Sequence, residues 1–178
     1  MACISKLANA IAYDCDTGAT GLVSAIIINK ADIASFTVSS SSGVVTGLTL
    51  AAGAKAYKID TVKRSLVLSS ALKVNEGAPN AYSHSANLVL TSTDNSDFSA
   101  SMAAYSNGSF VILASMNAGP FPAYGLYYGL SAVSSEHSSH DNGGWYTVTL
   151  ETPENVIGED TLTIDSGLYQ TLYTAAVG

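Results

Sequence analysis

Gly21-Leu22-Val23-Ser24-Ala25-Ile26-Ile27-Ile28-Asn29 is the stretch that decides the fold class. It is short, its apolar residues are mostly β-branched, and Gly18 to Gly21 supplies a turn before it. These are the marks of a strand. Its purely apolar run, Ala25 to Ile28, is far too short to span a membrane as a helix. Asn29-Lys30-Ala31-Asp32 reads as a turn, and Ile33 to Ser39 opens a second strand. Beyond the polar loop Ser39-Ser40-Ser41-Ser42-Gly43, strands are expected over Val44–Leu50 and Ala56–Val62. In the latter, Tyr57, Ile59 and Thr61 alternate with Lys58, Asp60 and Val62, a half-buried pattern.

The same reading continues toward the C-terminus. Ser65–Val74 is extended, Asn75-Glu76-Gly77-Ala78-Pro79-Asn80 breaks the chain, and Tyr82–Thr91 is a strand with His84, Ala86, Leu88 and Leu90 on one face. One segment differs in period. Phe98, Met102 and Tyr105 fall at i, i+4 and i+7, with Ser96 as N-cap, Asp97 in the first turn and Asn107-Gly108 as a stop. That pattern predicts one short amphipathic helix over about 96–106. Further strands are expected over Ser109–Ser115, Tyr124–Val133, Gly144–Glu151, Thr161–Ile164 and Tyr169–Val177. Close spacing, glycine turns and a single helix predict a mainly β protein, a sandwich or barrel of antiparallel strands with one flanking helix. With 178 residues and no biased linker, a single domain over 1–178 is expected.

Composition narrows the function classes. The chain is 47% hydrophobic and only 12% charged, which excludes wholesale disorder. Its net charge of −7 argues against nucleic-acid binding, which needs Lys and Arg to neutralise phosphates. Lys63-Arg64 is the one adjacent basic pair, so adsorption to an anionic membrane is equally disfavoured. The N-terminal run Leu7–Tyr13 is short, interrupted by Asn9 and followed by Asp14 and Asp16. It lacks the form of a secretory signal, and the expectation is a soluble protein made in a cytoplasm. Cys3 and Cys15 read as small buried hydrophobes, with a disulfide in a mature particle as the alternative.

Candidate chemistry is thin. His137, His140 and Asp141 are the best metal-like grouping, but the surrounding serines and glycines indicate solvated loop histidines. No Gly-x-Ser-x-Gly elbow and no phosphate-binding glycine loop occurs. Glu151, Glu154, Glu159 and Asp160 flank Pro153 and Gly158 and read as a solvated turn. No catalytic residue, metal site or cofactor is therefore expected. Tyr124, Tyr127 and Tyr128, set around Gly125 and Gly129, are the candidate subunit interface. Tyrosine is enriched at interfaces because it joins apolar area to a polar tip. A glycan-stacking platform and ordinary strand residues are the alternatives.

The order of elements resembles virion proteins of tailed bacteriophages infecting Bacteroidetes, specifically the tail tube (major tail protein) family. The resemblance rests on Met1-Ala2-Cys3, Asp14-Cys15, the glycine-led Ile-rich strand ending at Asn29, and Asp32-Ile33. It continues through Tyr82 with Leu88-Val89-Leu90, a short helix, and Asn107-Gly108 leading into a strand. Asp141-Asn142-Gly143-Gly144-Trp145-Tyr146 and the following strand to Glu151 are similar to a strand near the end of such proteins. The resemblance implies a non-enzymatic subunit of a phage tail, made in the bacterial host cytoplasm. It would close into homo-oligomeric rings, commonly of six, which stack into a tube that contacts other tail proteins. DNA would pass as non-adherent cargo during genome ejection, past an acidic lumen. Ser39, Ser40, Ser41, Ser42 and Gly43, with Asn75, Glu76, Gly77, Ala78, Pro79 and Asn80, are the candidate inter-ring loops. The region 120–140 is richer in Pro, Tyr and Ser than the family pattern, and Gly18-Ala19-Thr20-Gly21 replaces its Gly-Gly pair. Related virion roles (tail terminator, connector, head decoration) and a glycan-binding surface module acting through Tyr124–Tyr128 and His137–His140 are the alternatives.

Overall fold

A computed structural model describes residues 21–59, 65–90, 98–117, 119–137 and 146–177. In chain order the elements are β1 (Leu22–Asn29), a 3-10 turn (Lys30–Asp32), β2 (Ile33–Val38), β3 (Val44–Leu50) and β4 (Tyr57–Ile59). Then follow β5 (Leu66–Lys73), β6 (Ala81–Leu90), α1 (Phe98–Asn107), β7 (Ser109–Met116) and β8 (Pro122–Tyr124). The chain finishes with β9 (Leu130–His137), β10 (Tyr146–Glu151), β11 (Leu162–Ile164) and α2 (Ser166–Ala175). The protein is mainly β, one large mixed sheet with two short helices, consistent with the expected sandwich or barrel with a flanking helix.

The strand path runs β2-β3-β11-β8-β7-β9-β10-β6-β5, with β1 joined to β7 and β4 to β1. Among the described strands only the β3–β11 contact is parallel. β1 and β7 pair antiparallel over their length, Ile26 opposite Leu113, Ile27 opposite Ile112 and Ile28 opposite Val111. This pair is the spine, because it is covered on both faces. Ile26, Ile28, Val111 and Leu113 enter one core with Val45, Leu48, Leu126, Leu162, Ile164 and Tyr169. Ala25, Ile27, Phe110, Ile112 and Ala114 enter a second core with Leu66, Ala86, Leu88, Leu130, Val148 and Leu150. A strand buried on both sides has no place for polar alternation, which explains the unbroken Ala25–Ile28 run. Each fully buried aliphatic there contributes about 1.5–3 kcal/mol.

The predicted helix is present as α1, with Met102 and Tyr105 packed on the second core. Ser96 and Asp97 lie outside the described residues, as do Cys3, Cys15, Lys63-Arg64, and the stretch from His140 through Trp145. His84, Ala86 and Leu88 share the buried face of β6 as expected, with Leu90 partly buried beside them.

Two expectations need correction. The expected strand Tyr169–Val177 is instead α2. Its Tyr and Thr content suggested extended chain, but Asp165 caps the helix by accepting the Leu168 N–H at 3.1 Å. Leu168, Tyr169, Leu172 and Tyr173 then form one stripe against the first core. Tyr169 is fully buried and its hydroxyl meets Ser24 Oγ at 2.8 Å. The expected continuous strand Tyr124–Val133 is broken in two. β8 and β9 both pair with the same edge of β7, Tyr124 opposite Ile112 and Leu130 opposite Phe110. A tight turn must therefore join them, and Gly125 and Gly129 supply it at φ of 74° and 77°.

Candidate functional site

The turn between β8 and β9 is braced by several contacts. Leu126 points into the first core, whereas Tyr127 and Tyr128 stand out at 37% and 42% exposure. Gly129 N–H closes the turn on Gly125 O at 2.9 Å. At Gly125 a Cβ would lie 2.8 Å from both Phe110 O and Leu130 Cγ, so the backbone itself sits against β7.

Beneath the two tyrosines lies Glu159, only 1% exposed. Its carboxylate accepts the Tyr128 N–H at 2.7 Å and the Tyr127 N–H at 3.0 Å. Burial pushes its carboxyl above the usual range, while those N–H donors and the Lys30 ammonium pull it back down. The solvated turn expected around Glu159 is thus incorrect for this residue. The backbone explains why: Tyr82 N–H donates to Glu159 O at 2.8 Å, and Glu159 N–H to Tyr82 O at 2.7 Å. Residue 159 therefore extends the sheet beside β6 after β10 has ended. Gly158, at φ of 117°, lets the chain approach closely, since a Cβ there would sit 2.8 Å from Ala81 Cβ.

The loop Asn75–Asn80 reaches the same place. Asn75 Nδ2 donates to Pro79 O at 2.9 Å and to Ile157 O at 2.8 Å, tying the β5–β6 hairpin to the segment before Glu159. Lys73 Nζ reinforces that tie through Val156 O at 2.7 Å and Glu154 O at 3.0 Å. Between these segments an open cleft of about 300 Å³ is lined by Pro79, Asn80, Tyr127, Tyr128, Ile157 and Asp160, among others. The Tyr127 hydroxyl is pushed upward by partial burial and by the Asp160 and Glu159 carboxylates. Tyr127 also meets Phe36 edge-on at 5.5 Å.

The structure separates the expected tyrosine trio. Tyr124 turns inward and packs on the second core, its ring edge-to-face with His84 at 5.0 Å. His84 is 1% exposed and among the described residues its Nδ1 has no hydrogen-bond partner, and burial lowers its pKa to about 4. Ser39–Gly43 forms the β2–β3 turn, closed by Ser39 N–H to Val44 O and Gly43 N–H to Ser39 O, away from the cleft lining. His137 stacks on Tyr146 across β9 and β10 at 4.3 Å, and its expected companions His140 and Asp141 lie outside the described residues. Among the described residues no three His, Cys, Asp or Glu side chains come together as a metal site, and no helix is long and apolar enough to cross a membrane.

Sequence reasoning found the tyrosines and the Asn75–Asn80 loop but missed that they meet, and missed Glu159. The signal available for Glu159 was Gly158 immediately before it, a mark of close backbone approach. No protein-family model, curated protein or solved structure matches the chain.

Proposed function

We propose that the chain is a structural, non-enzymatic subunit that assembles through its sheet edges into homo-oligomeric rings, as the tail-tube proteins it resembles do. One observation carries this reading. The strand path ends on two different strands, β2 and β5, and among the described residues neither has a partner on its outer edge. Uncovered edges invite pairing with another chain. Pairing of β5 with β2 of the next copy would be head-to-tail, and head-to-tail contacts generate rings or filaments, whereas β5 with β5 would stop at a dimer.

Further support comes from the character of the β5 side. Val67 and Leu72 are exposed on opposite faces of the strand, and Val74 follows at 72% exposure. Such apolar residues on an eight-residue edge strand are a liability alone and useful in an assembly. The net charge of −7 suits a tube through which DNA passes without sticking. In this reading the rings stack through Ser39–Gly43 and Asn75–Asn80, and the protein resides in the virion tail with other tail proteins. A terminator, connector or head decoration role would use the same edges.

The test is negative-stain electron microscopy of the purified protein at high concentration. Rings or hollow tubes are expected. Isolated particles of monomer size at every concentration would overturn the reading.

A further inference from the structure

We infer that the cleft between the β8–β9 turn and the Asn75–Asn80 loop is a binding site for a neutral saccharide. The inference stands whether or not the sheet edges assemble. It begins with Glu159. A carboxylate at 1% exposure is unfavourable to bury unless its oxygens are satisfied. Here its oxygens are satisfied by the N–H groups of Tyr127 and Tyr128. The buried carboxyl group therefore immobilises the backbone of two side chains that themselves remain in solvent. Gly125 and Gly129 hold the two ends of that turn, and Asn75 and Lys73 brace the opposite wall. Such support is what a preformed site needs, since ordering its walls in advance removes that cost from binding.

The lining selects the ligand class. Two tyrosines offer apolar ring faces with polar tips, suited to the C–H face of a pyranose. Asp160 supplies acceptors for sugar hydroxyls. Asn80 Oδ1 already accepts the Asn75 N–H at 3.3 Å, which leaves its amide NH2 as a donor. Among the described residues the lining holds no Lys, Arg or His, and Asp160 lies in the wall, so phosphorylated, sulfated or carboxylated ligands are disfavoured. A peptide strand is disfavoured for a different reason. The backbone edge it would extend, at Tyr82, is already occupied by Glu159. At about 300 Å³ the cleft is at the small end of ligand sites and fits a short sugar segment.

The experiment is saturation-transfer NMR against soluble cello-, malto-, xylo- and manno-hexaose, with oligogalacturonate as the charged comparator. It is run on dilute protein, so that the outcome does not depend on assembly. Saturation of at least one neutral hexaose and none of oligogalacturonate is expected. Tyr128→Ala should weaken binding at least tenfold, Tyr128→Phe should retain most of it, and Asp160→Asn should weaken it severalfold. Glu159→Gln, a positioning change, should weaken binding while leaving the circular dichroism spectrum intact. No neutral hexaose bound, or undiminished binding in Tyr128→Ala, would overturn the inference.

Discussion

Acid should destabilise this protein at His84. Its imidazole is walled in by the second core and Tyr124, and among the described residues its Nδ1 has no partner to stabilise a proton. Burial lowers its pKa from 6.5 to about 4, so the folded state binds fewer protons than the unfolded chain between those values. The stability it confers is therefore complete above pH 6.5 and is lost as pH falls toward 4. The full gap is worth about 3 kcal/mol, most of which is forfeited by pH 4.5. Glu159 acts in the opposite sense. Its raised pKa makes the folded state bind protons more readily, so its contribution is greatest below its unfolded value and declines as pH rises through the folded one. The comparison that isolates His84 is wild type against His84→Leu, in which the Glu159 part cancels. Urea denaturation of both proteins at pH 7 and pH 4.5 should show wild type losing about 2 kcal/mol more than the variant. At pH 7 the variant should be near neutral. Removing an unsatisfied buried nitrogen gains about 1–3 kcal/mol, against about 0.5–1.5 kcal/mol for the lost ring contact. Equal acid losses in the two proteins would refute the argument, because they would mean that the folded imidazole accepts a proton without penalty.

Two other perturbations test the framework. Gly125→Ala places a side chain at φ of 74° and drives its Cβ against Phe110 O on the central strand. The expected loss is about 3 kcal/mol, or roughly 6–12 °C in a thermal melt, and a fall under about 2 °C would contradict it. Asp165→Ala removes the α2 cap and should cost about 1 kcal/mol, whereas Asp165→Asn should cost only a few tenths, read by the same melts.

The sequence carried the strand pattern well wherever burial was simple. Ala25–Ile28 and β6 announce themselves because one strand is covered on both faces and the other on one, and residue periodicity records that difference. α1 was visible through its 3.6-residue spacing. α2 was not, because its Tyr and Thr residues favour strands in isolation, and only packing of Leu168, Tyr169, Leu172 and Tyr173 on the first core decides otherwise. Asp165-Ser166-Gly167 did carry a cap signal. The split of Tyr124–Val133 depended on two strands sharing one edge of β7, a tertiary fact with only Gly125 and Gly129 to mark it. The cleft was legible in its parts alone. Residues 80, 128 and 160 are far apart in the chain, and nothing local shows that Glu159 folds under the tyrosines.

The central claim is that β5 is a contact edge between copies. Light scattering of wild type against Val67→Lys/Leu72→Lys, across a concentration series, tests it most directly. Both side chains are exposed, so the monomer should stay folded, with each change within about 0.5 kcal/mol by thermal melt. Charged residues on an edge oppose pairing. Wild type should grow in mass to a multiple of the subunit while the variant remains a folded monomer. A wild type that stays monomeric throughout, or a folded variant that assembles as readily as wild type, would contradict the account.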